Sequence, residues 1–245
     1  MNNADKYAIV TGCASGIGYE ISKRLSNQDV HVIGIDVDKP QSDFLSYGCD
    51  VSDENQVEDI ILKISNHTQR IDYLVNAAGM LTIGKPQEIK DLSIKQWDAI
   101  LRVNLRSAVI MTKLTYPLLK SSEEASIVNI SSEQAFHPDV KFSPYAVSKA
   151  GINMFTTCAA KEFLGDRIRV NAIALGTVRT NILKSMALTP EQEEAMYREK
   201  DKRIPFGLID NSSVVDLVEF LLSNKSGFMT GEVIRCDGGL FLSRE

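Results

Sequence analysis

Short β-branched and aliphatic runs alternate with longer helical patterns from one end of this 245-residue chain to the other. The runs are apolar throughout, which predicts strands that are buried on both faces. Buried strands separated by helices form a parallel sheet with helices on both sides, so the sequence predicts an α/β fold. The predicted strands are Tyr7–Thr11, Val30–Asp36, Ser46–Cys49, Ile71–Asn76, Ser126–Ile130, Arg169–Ala174 and Glu232–Cys236. The predicted helices are Ile17–Asn27, Glu54–Asn66, Ile94–Leu119, Pro144–Leu164 and Ser212–Leu222.

One segment near the C-terminal end breaks this alternation. Elsewhere no linker, internal repeat or low-complexity stretch interrupts the pattern, so we expect a single domain over residues 1–245. Residues 178–205 insert a charged helical stretch before the last helix and strand. Two interpretations of this stretch stay open: a solvated surface helix, or a mobile lid over a substrate pocket.

Composition and charge argue against several classes of protein. The net charge of −5 disfavours nucleic acid or an anionic membrane as a partner. The apolar runs are far shorter than a membrane span, and the N-terminus lacks the apolar core of a signal peptide, so we expect a cytoplasmic location. The four cysteines lie far apart and the chain has three histidines, a pattern that predicts neither a metal site nor a disulfide framework.

A glycine-rich loop, Thr11–Gly18, joins the first predicted strand to the first predicted helix. Its glycines permit a tight turn and let a pyrophosphate approach a helix N-terminus, whose free N–H groups bind anions. Asp36 stands at the end of the second predicted strand, where a carboxylate accepts hydrogen bonds from ribose hydroxyls and repels a 2′-phosphate. The loop therefore predicts a dinucleotide site that prefers NAD to NADP, although the nearby cation Lys39 favours NADP.

Tyr145 and Lys149 lie four residues apart on a predicted helix, and therefore share one of its faces. The same spacing occurs three times in the chain, but only this copy has a serine, Ser132, upstream at the end of an apolar run. Ser143 and Pro144 are predicted to be the N-cap and first residue of this helix. The ammonium of Lys149 and the positive end of the helix dipole are expected to lower the pKa of Tyr145, which makes it a general acid and base.

Taken together, these motifs resemble the short-chain dehydrogenase/reductase family over essentially the whole chain. Further matches are Asp50–Val51 after the third strand, Asn76–Gly79 after the fourth, Asn104 in a helix, and Met229–Gly239 near the end. The resemblance implies a Rossmann fold with a seven-stranded parallel sheet in the order 3-2-1-4-5-6-7. It also implies an NAD(P)-dependent oxidoreductase that acts on CH–OH groups and forms a homotetramer. One departure is Leu175, where the family usually has proline.

The resemblance assigns roles to individual residues. The implied catalytic residues are Asn104, Ser132, Tyr145 and Lys149. Tyr145 would exchange the proton of the reacting oxygen, Ser132 would orient that oxygen, and Asn104 would hold a water that links Lys149 to solvent. The candidate cofactor-binding residues are Gly12, Cys13, Ser15, Gly16, Ile17, Gly18, Asp36, Asp50, Val51, Asn76, Ala77, Ala78, Gly79, Tyr145, Lys149, Gly176, Val178 and Thr180. Asn104 could alternatively be a buried asparagine bonded to backbone.

The substrate is less well defined by the sequence. Candidate substrate residues are Gln134, His137, Phe142 and Leu175, although His137 also fits a surface loop. Their mixed polarity predicts a small secondary alcohol or ketone, such as a polyol, a cyclic diol or another hydroxy compound. Two other functions stay open: an NADPH-dependent 3-oxoacyl-(acyl-carrier-protein) reductase, which Asp36 disfavours, and an NAD-binding regulator without catalysis.

Overall fold

Seven parallel strands form one sheet in the computed structural model, which describes residues 6–186 and 188–243. The strands are β1 (Tyr7–Thr11), β2 (His31–Asp36), β3 (Leu45–Gly48), β4 (Tyr73–Asn76), β5 (Ser126–Ser132), β6 (Arg169–Leu175) and β7 (Val233–Cys236). Their spatial order is β3-β2-β1-β4-β5-β6-β7. The predicted fold class and strand order are therefore confirmed.

Eight α-helices accompany the sheet in the described part of the chain. They are α1 (Gly16–Ser26), α2 (Glu54–Ser65), α3 (Ile94–Leu101), α4 (Ser107–Lys120), α5 (Ser143–Glu162), α6 (Pro190–Arg203), α7 (Asn211–Leu222) and α8 (Leu240–Ser243). Short 3-10 segments are Ile89–Asp91, Glu133–Ala135, Leu164–Asp166, Asn181–Met186 and Asn224–Ser226. Within these described residues, no helix is both long and apolar enough to cross a membrane.

Both faces of the sheet are covered, as the uniformly apolar strands predict. Successive residues of a strand point to opposite faces, and in β1 the side chains of Ala8 and Val10 join one apolar cluster while Ile9 joins another. Helices α1 and α7 contribute to the first cluster, whereas α2, α4 and α5 contribute to the second. The central strands of the sheet are consequently buried on both sides, and this burial fixes their register. The ends of these strands therefore hold the loops that follow them in defined positions.

The long helix predicted over Ile94–Leu119 is instead interrupted. Helix α3 ends at Leu101, a π-helical segment spans Arg102–Arg106, and α4 then begins. A π-helical turn accommodates an extra residue within a helix and often marks a functional site. The apolar periodicity continues across it, because the inserted turn changes the register by one residue only, so the sequence pattern does not reveal it.

The start of α5 also differs from the prediction. The helix begins at Ser143, one residue earlier than expected, and the carbonyl of Phe142 accepts the first helical hydrogen bond from the N–H of Ala146 (2.9 Å). Phe142 therefore occupies the N-cap position, and the buried hydroxyl of Ser143 has no hydrogen-bond partner within the described part of the chain. Pro144 still lies in the first turn, so Tyr145 remains near the N-terminal end of the helix.

Candidate active site

A cavity of about 580 Å³ lies at the carboxyl ends of the strands. In open parallel sheets this edge is where ligands bind, because the strand order reverses there and opens a crevice. The sequence-predicted site residues that line the cavity are Gly12, Ser15, Gly16, Ile17, Gly18, Asp36, Asp50, Val51, Ala77, Ala78, Gly79, Ser132, Gln134, Phe142, Tyr145, Lys149, Leu175, Gly176, Val178 and Thr180. One continuous cleft thus brings the glycine loop together with the Ser132–Tyr145–Lys149 cluster.

The glycine loop between β1 and α1 is built for close approach of the backbone. Gly12 has a positive φ of 72°, and a Cβ there would lie 2.9 Å from the Cα of Ala78. A Cβ on Gly18 would lie 2.2 Å from the carbonyl oxygen of Gly12. Ser15 occupies the N-cap of α1 without a side-chain capping hydrogen bond. The first turn of α1 therefore lines the cavity with a helix N-terminus suited to an anion, and a dinucleotide pyrophosphate fits that position.

Asp36 ends β2 at the far side of the glycine loop. Its Oδ2 accepts a hydrogen bond from the N–H of Ala14 (2.9 Å), and its Oδ1 accepts one from the N–H of Asp38 (3.3 Å). These bonds hold the carboxylate at the cavity wall, where it presents negative charge to a bound nucleotide.

Arg102 was not singled out in the sequence, yet it lines the same cavity. It begins the π-helical segment and forms an ion pair with Asp50 (3.7 Å), one of the candidate cofactor residues. The Arg102 side chain is 57% exposed, so the pair is well solvated and contributes little to stability. A sequence signal for it is absent, because Arg102 reaches the cleft only through the packing of α3 beside the loop after β3.

Tyr145 and Lys149 are both buried at the inner end of the cleft, 7% and 5% exposed respectively. The Nζ of Lys149 donates a hydrogen bond to the carbonyl oxygen of Ile130 (2.8 Å) and lies 5.6 Å from the centre of the Tyr145 ring. The Oγ of Ser132 accepts a hydrogen bond from the N–H of Gln134 (3.2 Å). β5 and α5 thus carry the three groups to one place, as their order in the sequence predicts.

Burial is the largest cause of the pKa shifts of Tyr145 and Lys149. It raises the pKa of Tyr145 to about 12, against a hydrogen bond with Ser132 that lowers it, and the charge of Glu133 adds to the rise. Burial also lowers the pKa of Lys149 from 10.5 to about 8. The expected lowering of the Tyr145 pKa is therefore not what the structure gives, because desolvation disfavours the phenolate more than the protein's own neighbouring groups favour it. The phenol is therefore protonated at neutral pH.

Asn104 lies in the π-helical segment, and its side chain is bonded mainly to backbone. Its Oδ1 accepts from the N–H of Met80 (2.8 Å), and its Nδ2 donates to the Met80 carbonyl (2.9 Å) and to the Oγ of Ser148 (3.0 Å). These contacts tie the loop after β4 to α5. The carboxamide sits close to Lys149, because a Cβ on Gly79 would lie 3.4 Å from Asn104 Oδ1 and 3.5 Å from Lys149 Nζ.

Asn104 does not line the cavity, and three other candidate residues, Cys13, Asn76 and His137, also lie outside its lining. Cys13 is fully buried against Gly34, where a Cβ would lie 2.5 Å from its Sγ, and burial raises the pKa of its thiol to about 12. The Nδ2 of Asn76, the last residue of β4, donates to the Oδ1 of Asn129 in the neighbouring strand β5 (2.8 Å). The ring of His137 packs against Phe241 at 4.7 Å between centres. Position along the chain does not reveal the direction in which these side chains point.

The substrate end of the cleft is walled by Gln134, Phe142 and Leu175, and covered by α6. Leu175 is the last residue of β6 and only 4% exposed. Its side chain adds apolar bulk to the pocket at the position where the family usually has proline. In α6, the Tyr197 hydroxyl donates to the carbonyl of Thr180 (2.8 Å) and accepts from its N–H (3.2 Å). One face of α6 thus lines the cavity, while much of the helix is exposed to solvent. The single aromatic residue in that segment was the signal available in the sequence.

Comparison with known proteins decides the family. A family model described as enoyl-(acyl carrier protein) reductase matches residues 12–241. The chain belongs to the short-chain dehydrogenase/reductase family. It is 32% identical to the 3-oxoacyl-(acyl-carrier-protein) reductase FabG of Thermotoga maritima, covering 99% of this chain and 100% of that one. It is 29% identical to a 2,3-dihydro-2,3-dihydroxybenzoate dehydrogenase of Bacillus subtilis, covering 97% and 96%.

Solved structures of other short-chain dehydrogenases agree with this assignment. Aldohexose dehydrogenase of Thermoplasma acidophilum superposes with a TM-score of 0.91 at 31% identity, covering 98% of this chain and 95% of that one. Levodione reductase superposes with a TM-score of 0.89 at 26% identity, covering 98% and 99%. This short-chain dehydrogenase/reductase is thus an NAD(P)-dependent oxidoreductase acting on CH–OH groups. When bound, the nicotinamide ring supplies the acceptor or donor of hydride.

Proposed function

We propose that this protein transfers a hydride between NAD and a small secondary alcohol or ketone, with Tyr145 as the general acid and base. The observation that carries this proposal is the placement of Tyr145, Ser132 and Lys149 in the same cleft as the glycine loop. The substrates in view are polyols, cyclic diols and other small hydroxy compounds. Similar proteins named as an aldohexose dehydrogenase and a 2,3-dihydro-2,3-dihydroxybenzoate dehydrogenase support that substrate class.

Each catalytic side chain has a distinct task in this proposal. Tyr145 donates its proton to the carbonyl oxygen in reduction and accepts the hydroxyl proton in oxidation. Ser132 holds the same oxygen through a hydrogen bond. Lys149, anchored on the Ile130 carbonyl, stabilises the phenolate whenever it forms, since an ammonium favours a nearby negative charge. Asn104 positions the Met80 loop and takes part in a proton relay from Lys149 to solvent.

The preference for NAD over NADP rests on Asp36. The carboxylate is held at the cavity wall by two backbone N–H groups, and it would lie against the 2′-phosphate of NADP. The described residues of the cleft supply one arginine, Arg102, whose partner is Asp50. Because Arg102 is already paired with a carboxylate, the charge balance at this end of the cleft favours the unphosphorylated ribose.

A second candidate is the NADPH-dependent 3-oxoacyl-(acyl-carrier-protein) reductase. The 32% identity to the FabG of Thermotoga maritima over nearly the full length favours it, and Asp36 disfavours it. A third candidate is an NAD-binding regulator without catalysis. The complete set of Ser132, Tyr145, Lys149 and Asn104 disfavours that function, because a protein that only binds NAD has no chemical need for it.

The proposal also covers the organisation of the protein. We expect one dinucleotide-binding catalytic domain over residues 1–245, assembled as a homotetramer in the cytoplasm. Residues 178–205 are proposed to act as a lid over the substrate end of the cleft. Tyr197 supports the lid, because it anchors α6 to the start of the segment through two hydrogen bonds with Thr180.

The test of function is nicotinamide absorbance with purified protein. NAD and NADP are compared in parallel against secondary alcohols, polyols, cyclic diols and 3-hydroxyacyl thioesters, with the matching ketones in the reverse direction. Turnover with NAD on a small alcohol supports the proposal. Turnover of a 3-oxoacyl thioester with a preference for NADPH contradicts the proposal and supports the 3-oxoacyl-(acyl-carrier-protein) reductase instead. If saturating NAD raises the melting temperature while no substrate reacts, the regulator is the better conclusion.

A further inference from the structure

A buried amide oxygen beside the catalytic serine has no hydrogen-bond partner among the residues that the structure describes. Gln134 lies two residues after Ser132, on the 3-10 turn Glu133–Ala135, and is 7% exposed. Its side-chain oxygen Oε1 is buried and unpartnered, although the residue lines the cavity. Buried polar atoms are nearly always hydrogen-bonded in folded proteins, because leaving one unpaired costs free energy. An exception in the wall of a binding cavity points to a bound group that completes it.

Asp139 fixes which end of the Gln134 amide is left unpaired. The Nε2 of Gln134 donates to the Oδ2 of Asp139 (3.3 Å), and the Nζ of Lys200 in α6 donates to the same oxygen (3.2 Å). A carboxylate only accepts hydrogen bonds, so a flipped amide would set two acceptor oxygens against each other. The amide therefore keeps its NH₂ on Asp139 and leaves an acceptor for a ligand.

This acceptor is separate from the groups that hold the reacting oxygen. The backbone N–H of Gln134 donates to the Oγ of Ser132 (3.2 Å), so the Gln134 side chain starts directly beside the position of the reacting oxygen. In the proposed function, the side chains of Ser132 and Tyr145 both hydrogen-bond to the reacting oxygen. A group that satisfies the Gln134 oxygen must be a hydrogen-bond donor elsewhere on the substrate, close to the reacting carbon.

We propose that Gln134 is a specificity residue that accepts a hydrogen bond from a second hydroxyl of the substrate. This inference rests on the proposed function and narrows its substrate class to diols and hydroxy ketones with neighbouring oxygen atoms. A 3-oxoacyl thioester places a second carbonyl, which is an acceptor, near its ketone, so Gln134 disfavours it. Asp139 acts as a positioning residue, and Lys200 brings α6 to the same carboxylate when the cleft is covered.

The experiment compares matched pairs of substrates that differ by one hydroxyl. The pairs are cyclohexane-1,2-diol with cyclohexanol and butane-2,3-diol with butan-2-ol, each assayed with NAD and with NADP. For the wild-type protein we expect kcat/KM to favour the diol by about 10- to 100-fold, the effect of one hydrogen bond to an otherwise unpaired buried acceptor. The 3-oxoacyl thioester is run beside them.

Two variants and a control then test Gln134 itself. Gln134→Met keeps the length of the side chain and removes the acceptor, so kcat/KM should fall about 10- to 100-fold for the diol and stay within about threefold for the mono-alcohol. The double variant Gln134→Glu with Asp139→Asn reverses donor and acceptor between the two positions and restores a free acceptor oxygen. It should recover most of the diol preference. Gln69→Met, at an exposed glutamine, is the matched control.

The outcomes separate this inference from the proposed function. Equal kcat/KM for diol and mono-alcohol in the wild-type protein, or an equal loss of both in Gln134→Met, overturns the role of Gln134 while hydride transfer to small alcohols stands. Turnover confined to the 3-oxoacyl thioester overturns both. If Gln134→Met fails to fold, as judged by its melting temperature with and without NAD, the double variant decides: loss of the diol preference there contradicts the proposal.

Discussion

Lys149 is an ionisable group buried at the inner end of the cleft, and replacing it with methionine tests how that burial affects stability. Its side chain is 5% exposed, and burial lowers its pKa from 10.5 to about 8. Each unit of pKa difference between the folded and unfolded states is worth about 1.4 kcal/mol. This difference therefore destabilises the folded protein by about 3 kcal/mol at a pH where the lysine is charged in both states. Lys149→Met removes this penalty together with the charge.

The sign of the pH dependence follows from proton binding. Between pH 8 and pH 10.5 the unfolded chain holds the Lys149 proton and the folded protein releases it, so the folded wild-type protein gains stability as the pH rises. The variant has no such group. The free energy of unfolding of the wild-type protein minus that of Lys149→Met should therefore increase by about 2 kcal/mol between pH 7 and pH 9.5.

Urea unfolding followed by circular dichroism measures this difference at fixed protein concentration. Other groups that titrate in this range are common to both proteins and cancel. The lost hydrogen bond to the Ile130 carbonyl adds an offset that does not depend on pH. Lys161→Met, at an exposed lysine of the same helix, is the matched control for removing a lysine side chain. A flat difference for Lys149→Met would refute the burial argument, and an inverted slope would mean that a carboxylate pairs with this lysine.

Three further substitutions, Tyr145→Phe, Gly12→Ala and Asp36→Ala, test the cleft, and Gly84→Ala is the matched control for Gly12→Ala. Tyr145→Phe should reduce kcat by about 10²–10⁴-fold and leave NAD affinity in a fluorescence titration nearly unchanged; equal losses of both would contradict the acid–base role. Gly12→Ala should destabilise the fold and weaken NAD binding, because its Cβ would lie 2.9 Å from backbone and its φ is positive. Gly84→Ala, with a positive φ and open space around it, should cost only about 1–2 kcal/mol in urea unfolding and spare NAD binding. Asp36→Ala should shift the NAD/NADP ratio of kcat/KM towards NADP by about tenfold or more, and an unchanged ratio would remove Asp36 as the discriminating group.

Much of the fold is local in origin, and the sequence predicts it for that reason. Strand positions follow from short apolar runs, and helix positions follow from apolar spacing, both of which are read from neighbouring residues. Their ends shift by one or two residues, as at β4, which begins at Tyr73 instead of Ile71. The π-helical segment Arg102–Arg106 escapes this reasoning, because one inserted residue leaves the apolar pattern of the surrounding helix almost intact.

The chemistry of the cleft depends on distances that the sequence does not contain. The sequence determined the parallel sheet, the glycine loop and the shared helix face of Tyr145 and Lys149, since spacing along the chain suffices for each. Only the tertiary structure decided that burial raises the pKa of Tyr145 and lowers that of Lys149. It also brought Lys200 to Asp139 across 61 residues of chain. Desolvation and pairing between distant segments arise from the packing of the whole molecule, and no local pattern records them.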